Sequence, residues 1–177
     1  MKVFVVNGVP RSGKDTFVNF CLEELTCWGK SISTVDFVKE IATQCGWDGT
    51  KTLENRKFLS DLKDLLTNWN NVPYNKIVEE KDSWEYEFRL YDVPTDHCFF
   101  FIFCREPEEI QKFVDGMGAK TIIVRRNEYE QLEQSNHADR DVFNFDYDIT
   151  IENNGDLKDL RDKAKDFLKK EGWKRRW

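Results

Sequence analysis

Histidine, methionine and proline are scarce in this 177-residue chain, with two, two and four copies. The two histidines, His97 and His137, stand beside no cysteine pair, so the sequence offers no zinc pattern. Five cysteines is an odd number, and none stands in a Cys-x-x-Cys spacing. That suits reduced, mostly buried thiols in a cytosolic protein. No run approaches the roughly 20 apolar residues of a membrane span. The N-terminus enters an apolar run at once, so a secretory leader is not expected. Positive charge is in deficit, with 27 Lys and Arg against 33 Asp and Glu and a net charge of −6. A nucleic-acid binder shows a basic face. Here the basic residues cluster only at Lys169, Lys170, Lys174, Arg175 and Arg176, which reads as a solvated tail.

Hydrophobic residues make up 40% of the chain and aromatics 14%, enough for a sizeable core in one domain. Short apolar runs at Val3–Val6, Ser31–Val35, Phe99–Cys104, Thr121–Val124 and Tyr147–Ile151 read as strands. Between them lie helical patterns at Lys14–Trp28, Phe37–Cys45, Leu53–Trp69, Pro107–Gly116 and Leu157–Lys170. Gly29 is expected to close the first helix in a left-handed turn. The Leu53–Trp69 helix is expected to turn Phe58, Leu59, Leu62, Leu65 and Leu66 inward. Strand and helix alternation predicts an α/β fold with a parallel sheet. Residues 71–97 are the least legible. Pro73, Glu79–Asp82 and Pro94 interrupt periodicity, and Trp84, Tyr86, Phe88 and Leu90 alternate as in a hairpin or edge strand.

The strongest motif is Gly8-Val9-Pro10-Arg11-Ser12-Gly13-Lys14-Asp15-Thr16, placed after a strand and at the start of a helix. In that context it reads as a phosphate-binding P-loop of the Walker A type. Gly8 and Gly13 let backbone amides approach an anion. Successive N–H groups and the positive helix end cradle phosphates. Lys14 adds a point charge at the β- and γ-phosphates. The position after the lysine, usually Ser or Thr, is Asp15, so Mg²⁺ falls to Thr16 or to Asp15, with Thr16 favoured.

On these residues the chain resembles the phage-type deoxynucleoside monophosphate kinases and the related phosphomevalonate kinases. The Arg-Ser-Gly-Lys-Asp-Thr loop is of their type. Val35-Asp36-Phe37-Val38-Lys39-Glu40-Ile41, Cys104-Arg105-Glu106-Pro107-Glu108-Glu109-Ile110, Phe145-Asp146-Tyr147-Asp148 and Ile151-Glu152-Asn153-Asn154-Gly155 resemble their later segments. The resemblance implies a three-layer P-loop NTPase fold of nucleoside monophosphate kinase type. Its five-stranded parallel sheet would be flanked by helices, in the order 2-3-1-4-5. It implies ATP and Mg²⁺ as cofactors and a monophosphate as acceptor, in the cytoplasm of a bacterial cell or phage-infected host, as a monomer or homodimer. The acceptor segment would span about 37–97 and a lid about 126–141.

Residue by residue, the resemblance gives Gly8, Arg11, Ser12, Gly13, Lys14, Asp15 and Thr16 to ATP phosphate. It gives Asp36, Lys39, Arg56 and Arg105 to the acceptor, and Asn153, Asn154 and Gly155 to the adenine loop. Arg125, Arg126 and Arg140 belong to the lid, and Lys14, Arg105 and Arg140 would act in transfer. Plainer readings stand beside these. Asp36 could cap a helix and Lys39 be solvated. Arg105 could pair with Glu106 or Glu109. Arg56 could be a surface residue, and Arg140 could pair with Asp139 or Asp141. Trp69 and Tyr74 are expected in the core. The sequence departs from many P-loop enzymes at the end of the third strand, which carries no aspartate for metal-bound water. Glu106, or Asp36 on the neighbouring strand, is the substitute. The leading expectation is a (deoxy)nucleoside monophosphate kinase. A kinase of another phosphorylated metabolite and a non-catalytic nucleotide sensor are the alternatives.

Overall fold

The structure is a computed structural model that describes residues 1–130 and 141–174. Five strands, β1 (Lys2–Asn7), β2 (Gly29–Ser33), β3 (Phe99–Phe103), β4 (Lys120–Arg125) and β5 (Ile149–Glu152), form one sheet. The order is β2-β3-β1-β4-β5, as expected, and every pairing is parallel.

The sheet is apolar on both faces because alternate residues of each strand point opposite ways. Phe4, Val6, Phe99, Phe101, Ile122 and Val124 face helices α1 (Lys14–Leu25) and α7 (Leu157–Lys170). There Phe4 stacks on Phe101 at 5.6 Å and meets Phe167 edge-on at 5.1 Å. Val3, Val5, Phe100 and Ile102 face the other way. They pack on Ile77 and Trp84 of α4 (Val72–Leu90) and on Ile110 and Phe113 of α5 (Pro107–Met117). Two further helices, α2 (Asp36–Gln44) and α3 (Leu53–Asn70), lie between β2 and α4 in the chain. A single turn, α6 (Asn127–Glu130), follows β4.

Four sequence expectations are corrected here. Residues 72–90 form the 19-residue helix α4, not a hairpin. Ile77, Trp84 and Phe88 recur at helical spacing, and Lys81, Glu85 and Arg89 form an i, i+4 ladder. Tyr86 and Leu90, which completed the apparent alternation, are exposed. Gly29 begins β2 in an extended conformation, and Thr26, at φ 55°, ends α1. On α3, Phe58 and Leu65 are exposed and the buried residue is Lys63. Trp69 is 82% exposed, whereas Tyr74 does pack in the core, 5.0 Å from Phe113.

Candidate phosphate-transfer site

Parallel register brings the C-terminal ends of the strands to one edge, where open α/β sheets place their ligands. Val6 pairs with Phe103, Ser33 with Phe103, and Arg125 with Glu152. The residues just beyond these positions are the candidate site.

The phosphate loop leaves β1 at Asn7, which is fully buried. Asn7 Nδ2 donates to the Arg105 carbonyl at 3.1 Å and to the Tyr147 hydroxyl at 2.7 Å. Its Oδ1 accepts from the Gly8 amide at 2.8 Å. Tyr147 in turn donates to the Val142 carbonyl at 2.8 Å. Burial, against the Asn7 hydrogen bond, pushes the Tyr147 hydroxyl up to about 12 and keeps it protonated. One side chain thus joins the start of the phosphate loop to the end of β3 and to the approach to β5.

The loop then bends through Arg11 at φ 66° and Gly13 at φ 92°. A Cβ on Gly13 would come within 2.3 Å of Asn153 Nδ2, and one on Gly8 within 2.5 Å of the Val124 carbonyl. Both glycines are therefore required by close approach. Asn153 is buried and donates to the Ser12 carbonyl at 2.8 Å, so the end of β5 braces the loop. Helix α1 starts at Lys14 with no side-chain cap, which leaves its first-turn amides to an anion. Ser12 Oγ is buried without a hydrogen-bond partner among the described residues. An orphaned hydroxyl inside an uncapped, glycine-tight loop fits a bound phosphate chain. Lys14 is mostly buried, with Asp15 at 3.8 Å. Asp15 is exposed and Thr16 half-buried.

A cleft of about 490 Å³ opens beside the loop and is lined by Arg11, Gly13, Asp15, Thr16, Arg126 and Asn153, among others. Gly155 lies on the same wall. Asn154 Oδ1 accepts from the Asn127 amide at 2.9 Å. The expected adenine loop and phosphate loop therefore share one cavity. We expect Asn153→Ala to cost about 1–2 kcal/mol of stability. It should also weaken binding of an ATP analogue about tenfold by loosening Ser12. Thermal melts and calorimetry would check this, and unchanged affinity would show that the brace is dispensable.

The other expected residues fall as follows. Asp36 is the first residue of α2 and not its cap; its carboxylate accepts from the Ser33 amide at 2.8 Å and from Lys39 at 3.0 Å. Arg56 is exposed on the first turn of α3, which Thr52 caps. Arg105 follows β3, half-buried, with its carbonyl held by Asn7. Arg125 makes a two-pronged contact with Glu130 at 2.7 and 2.9 Å. Arg126 lies 3.4 Å from Glu128 and over the Tyr129 ring. Arg140, and the lid residues from 131 to 139, lie outside the described residues.

Sequence reasoning missed two side chains, and it gave Asn153 to the adenine loop without its bond to the Ser12 carbonyl. Asn7 had no signal beyond its place at a strand end. Lys63 had one, a lysine on the apolar face of α3. Its ammonium donates to Glu109 Oε2 at 2.7 Å and to Glu106 Oε2. Cys104 donates to the same Glu109 oxygen at 3.1 Å. Burial pushes the Cys104 thiol well up, so it stays protonated. Burial alone would lower Lys63, but Glu109 and Glu106 outweigh it and hold the ammonium above the ordinary lysine range. Cys104, Glu106 and Glu109 have ligand-type atoms within 4.8 Å of one another, the kind of group that could hold a metal. Lys63 already supplies a cation to both carboxylates.

A glycine-tight loop braced at the C-terminal edge of a 2-3-1-4-5 parallel sheet fits a P-loop-like α/β fold. Comparison with known proteins agrees at the level of fold. A sugar kinase from Janibacter sp. HTCC2649, solved without ligand, superposes with a TM-score of 0.51 at 15% identity. The match covers 96% of this chain and 95% of that one. A candidate kinase from Chloroflexus aurantiacus gives a TM-score of 0.50 at 10% identity, covering 93% and 97%. The chain matches no protein-family model and no curated protein. Among the described residues, no helix is long and apolar enough to cross a membrane.

Proposed function

We propose that this chain transfers the γ-phosphoryl group of ATP to a nucleoside or deoxynucleoside monophosphate. The observation that carries the reading is Asn7. It ties the phosphate loop, where a donor would sit, to Arg105, where an acceptor phosphate would sit. The two halves of a transfer reaction are thereby held in one frame.

In this reading Gly8–Thr16 bind the triphosphate through amides and Lys14. Asn153, Asn154 and Gly155 border the adenine. Arg105, with Arg56, Asp36 and Lys39, holds the acceptor, and its guanidinium suits two-pronged phosphate binding. Mg²⁺, when bound, would offset charge on the β- and γ-phosphates, and Thr16 or Asp15 would hold it. Glu106 is the weaker metal candidate because Lys63 engages its carboxylate. Arg125, Arg126 and Arg140 would close over the transferred group. An acceptor phosphate oxygen attacks the γ-phosphorus in line, and the bond to the β,γ-bridging oxygen breaks to release ADP. A phosphate monoester is mostly ionised near neutral pH, so no protein base is needed. Positioning and charge compensation carry the rate.

The test is ADP release, coupled to a reporter, across ribo- and deoxyribonucleoside monophosphates. We expect at least one acceptor to raise turnover about 100-fold or more above ATP hydrolysis alone. Phosphorylated metabolites and sugars belong in the same panel. Turnover with those alone would move the acceptor class and keep the donor site. Tight ATP binding with no acceptor turnover would instead favour a nucleotide sensor.

A further inference from the structure

Lys63 and Glu109 lie outside the residues assigned so far, and with Glu106 they join two parts of the acceptor side that are distant in sequence. Lys63 is 7% exposed and Glu109 5%. A buried ammonium is costly unless paired. Here it is paired twice, with Glu109 on α5 and with Glu106, which immediately follows Arg105. Arg105 is therefore held on both sides. Asn7 takes its carbonyl, and Lys63 takes the next side chain in the chain. On α3, Arg56 and Lys63 are seven residues apart and share one face of the helix. Two turns, roughly 10 Å, separate them along the axis. The face that Lys63 fastens to the end of β3 is thus the face that presents Arg56.

We infer that Lys63 is a positioning residue for the acceptor phosphate: it clasps α3 to the Arg105–Glu106 segment so that Arg56 and Arg105 converge on one phosphate group. This rests on the phosphotransferase reading above. Lys63 touches neither donor nor acceptor in this account and acts through the two arginines. Glu109 accepts from both Lys63 and the Cys104 thiol, which keeps the ammonium centred between α3 and α5.

Lys63→Met alone removes the cation that the buried Glu109 carboxylate faces and is expected to unfold easily. The informative protein is the Lys63→Met, Glu109→Met double variant, which replaces the buried pair by apolar side chains. It should fold. Its affinity for a non-hydrolysable ATP analogue should stay within about twofold of wild type, while the acceptor KM rises about tenfold. Lys63→Arg should recover part of that loss. A folded double variant with wild-type acceptor KM would overturn the proposal. Amide hydrogen exchange tests the clasp without any turnover. Residues 53–70 and 104–106 should exchange faster in the double variant than in wild type, and equal exchange would also overturn it. If the wild-type protein accepts no phosphoryl acceptor, the kinase reading fails on that count, and the exchange result still decides whether the clasp exists.

Discussion

Lys14→Ala is expected to lower phosphoryl transfer by about 10³-fold, or roughly 4 kcal/mol of transition-state stabilisation, while the protein stays folded. Lys14 begins α1 and is mostly buried at the mouth of the phosphate loop. Its charge there meets the phosphates where negative charge redistributes during transfer. Its ion pair with the exposed Asp15, at 3.8 Å, is long and contributes little to stability. The melting temperature should move by only a few degrees, roughly the effect of 1 kcal/mol. Coupled ADP release and a thermal melt measure the two quantities separately. Wild-type turnover in this variant would remove the loop from the reaction.

The second large effect is on stability. Asn7→Ala should destabilise the protein by about 2–4 kcal/mol. For a chain of this size that lowers the melting temperature by roughly 5–15 °C. The substitution leaves the Gly8 amide, the Arg105 carbonyl and the Tyr147 hydroxyl each without a fully buried partner. Asn7→Asp is a sharper probe. It keeps the acceptor for the Gly8 amide, loses both donated bonds, and places a carboxylate in a fully buried position. Activity should fall in both variants beyond the loss explained by unfolding, because donor loop and Arg105 lose their common anchor. A melt indistinguishable from wild type would show that the three bonds are not formed in solution.

What could be foreseen and what could not divides along the range of the interactions. The loop Gly8–Thr16 was legible because its requirements are local: glycines where backbone angles demand them, a lysine at the helix start, a strand before and a helix after. The sheet was legible because strands covered on both faces are apolar throughout, as Phe99–Phe103 is. Helix α4 was misread because Trp84, Tyr86, Phe88 and Leu90 satisfy a period of two by accident. Only packing against the sheet shows that Trp84 is buried and that Tyr86 and Leu90 are not. On α3, composition pointed five apolar residues inward, yet the buried residue is a lysine.

The glycine-rich loop, the alternation of strand and helix, and the arginine just past β3 could all be read along the chain. Each of these follows from neighbours a few residues apart. Tertiary structure alone decided which polar groups hold those parts together. Asn7 meets Tyr147, Asn153 meets Ser12 and Lys63 meets Glu109, across 140, 141 and 46 positions of chain. A buried amide or ammonium is tolerable only where specific partners arrive, and those partners arrive only when the chain has folded.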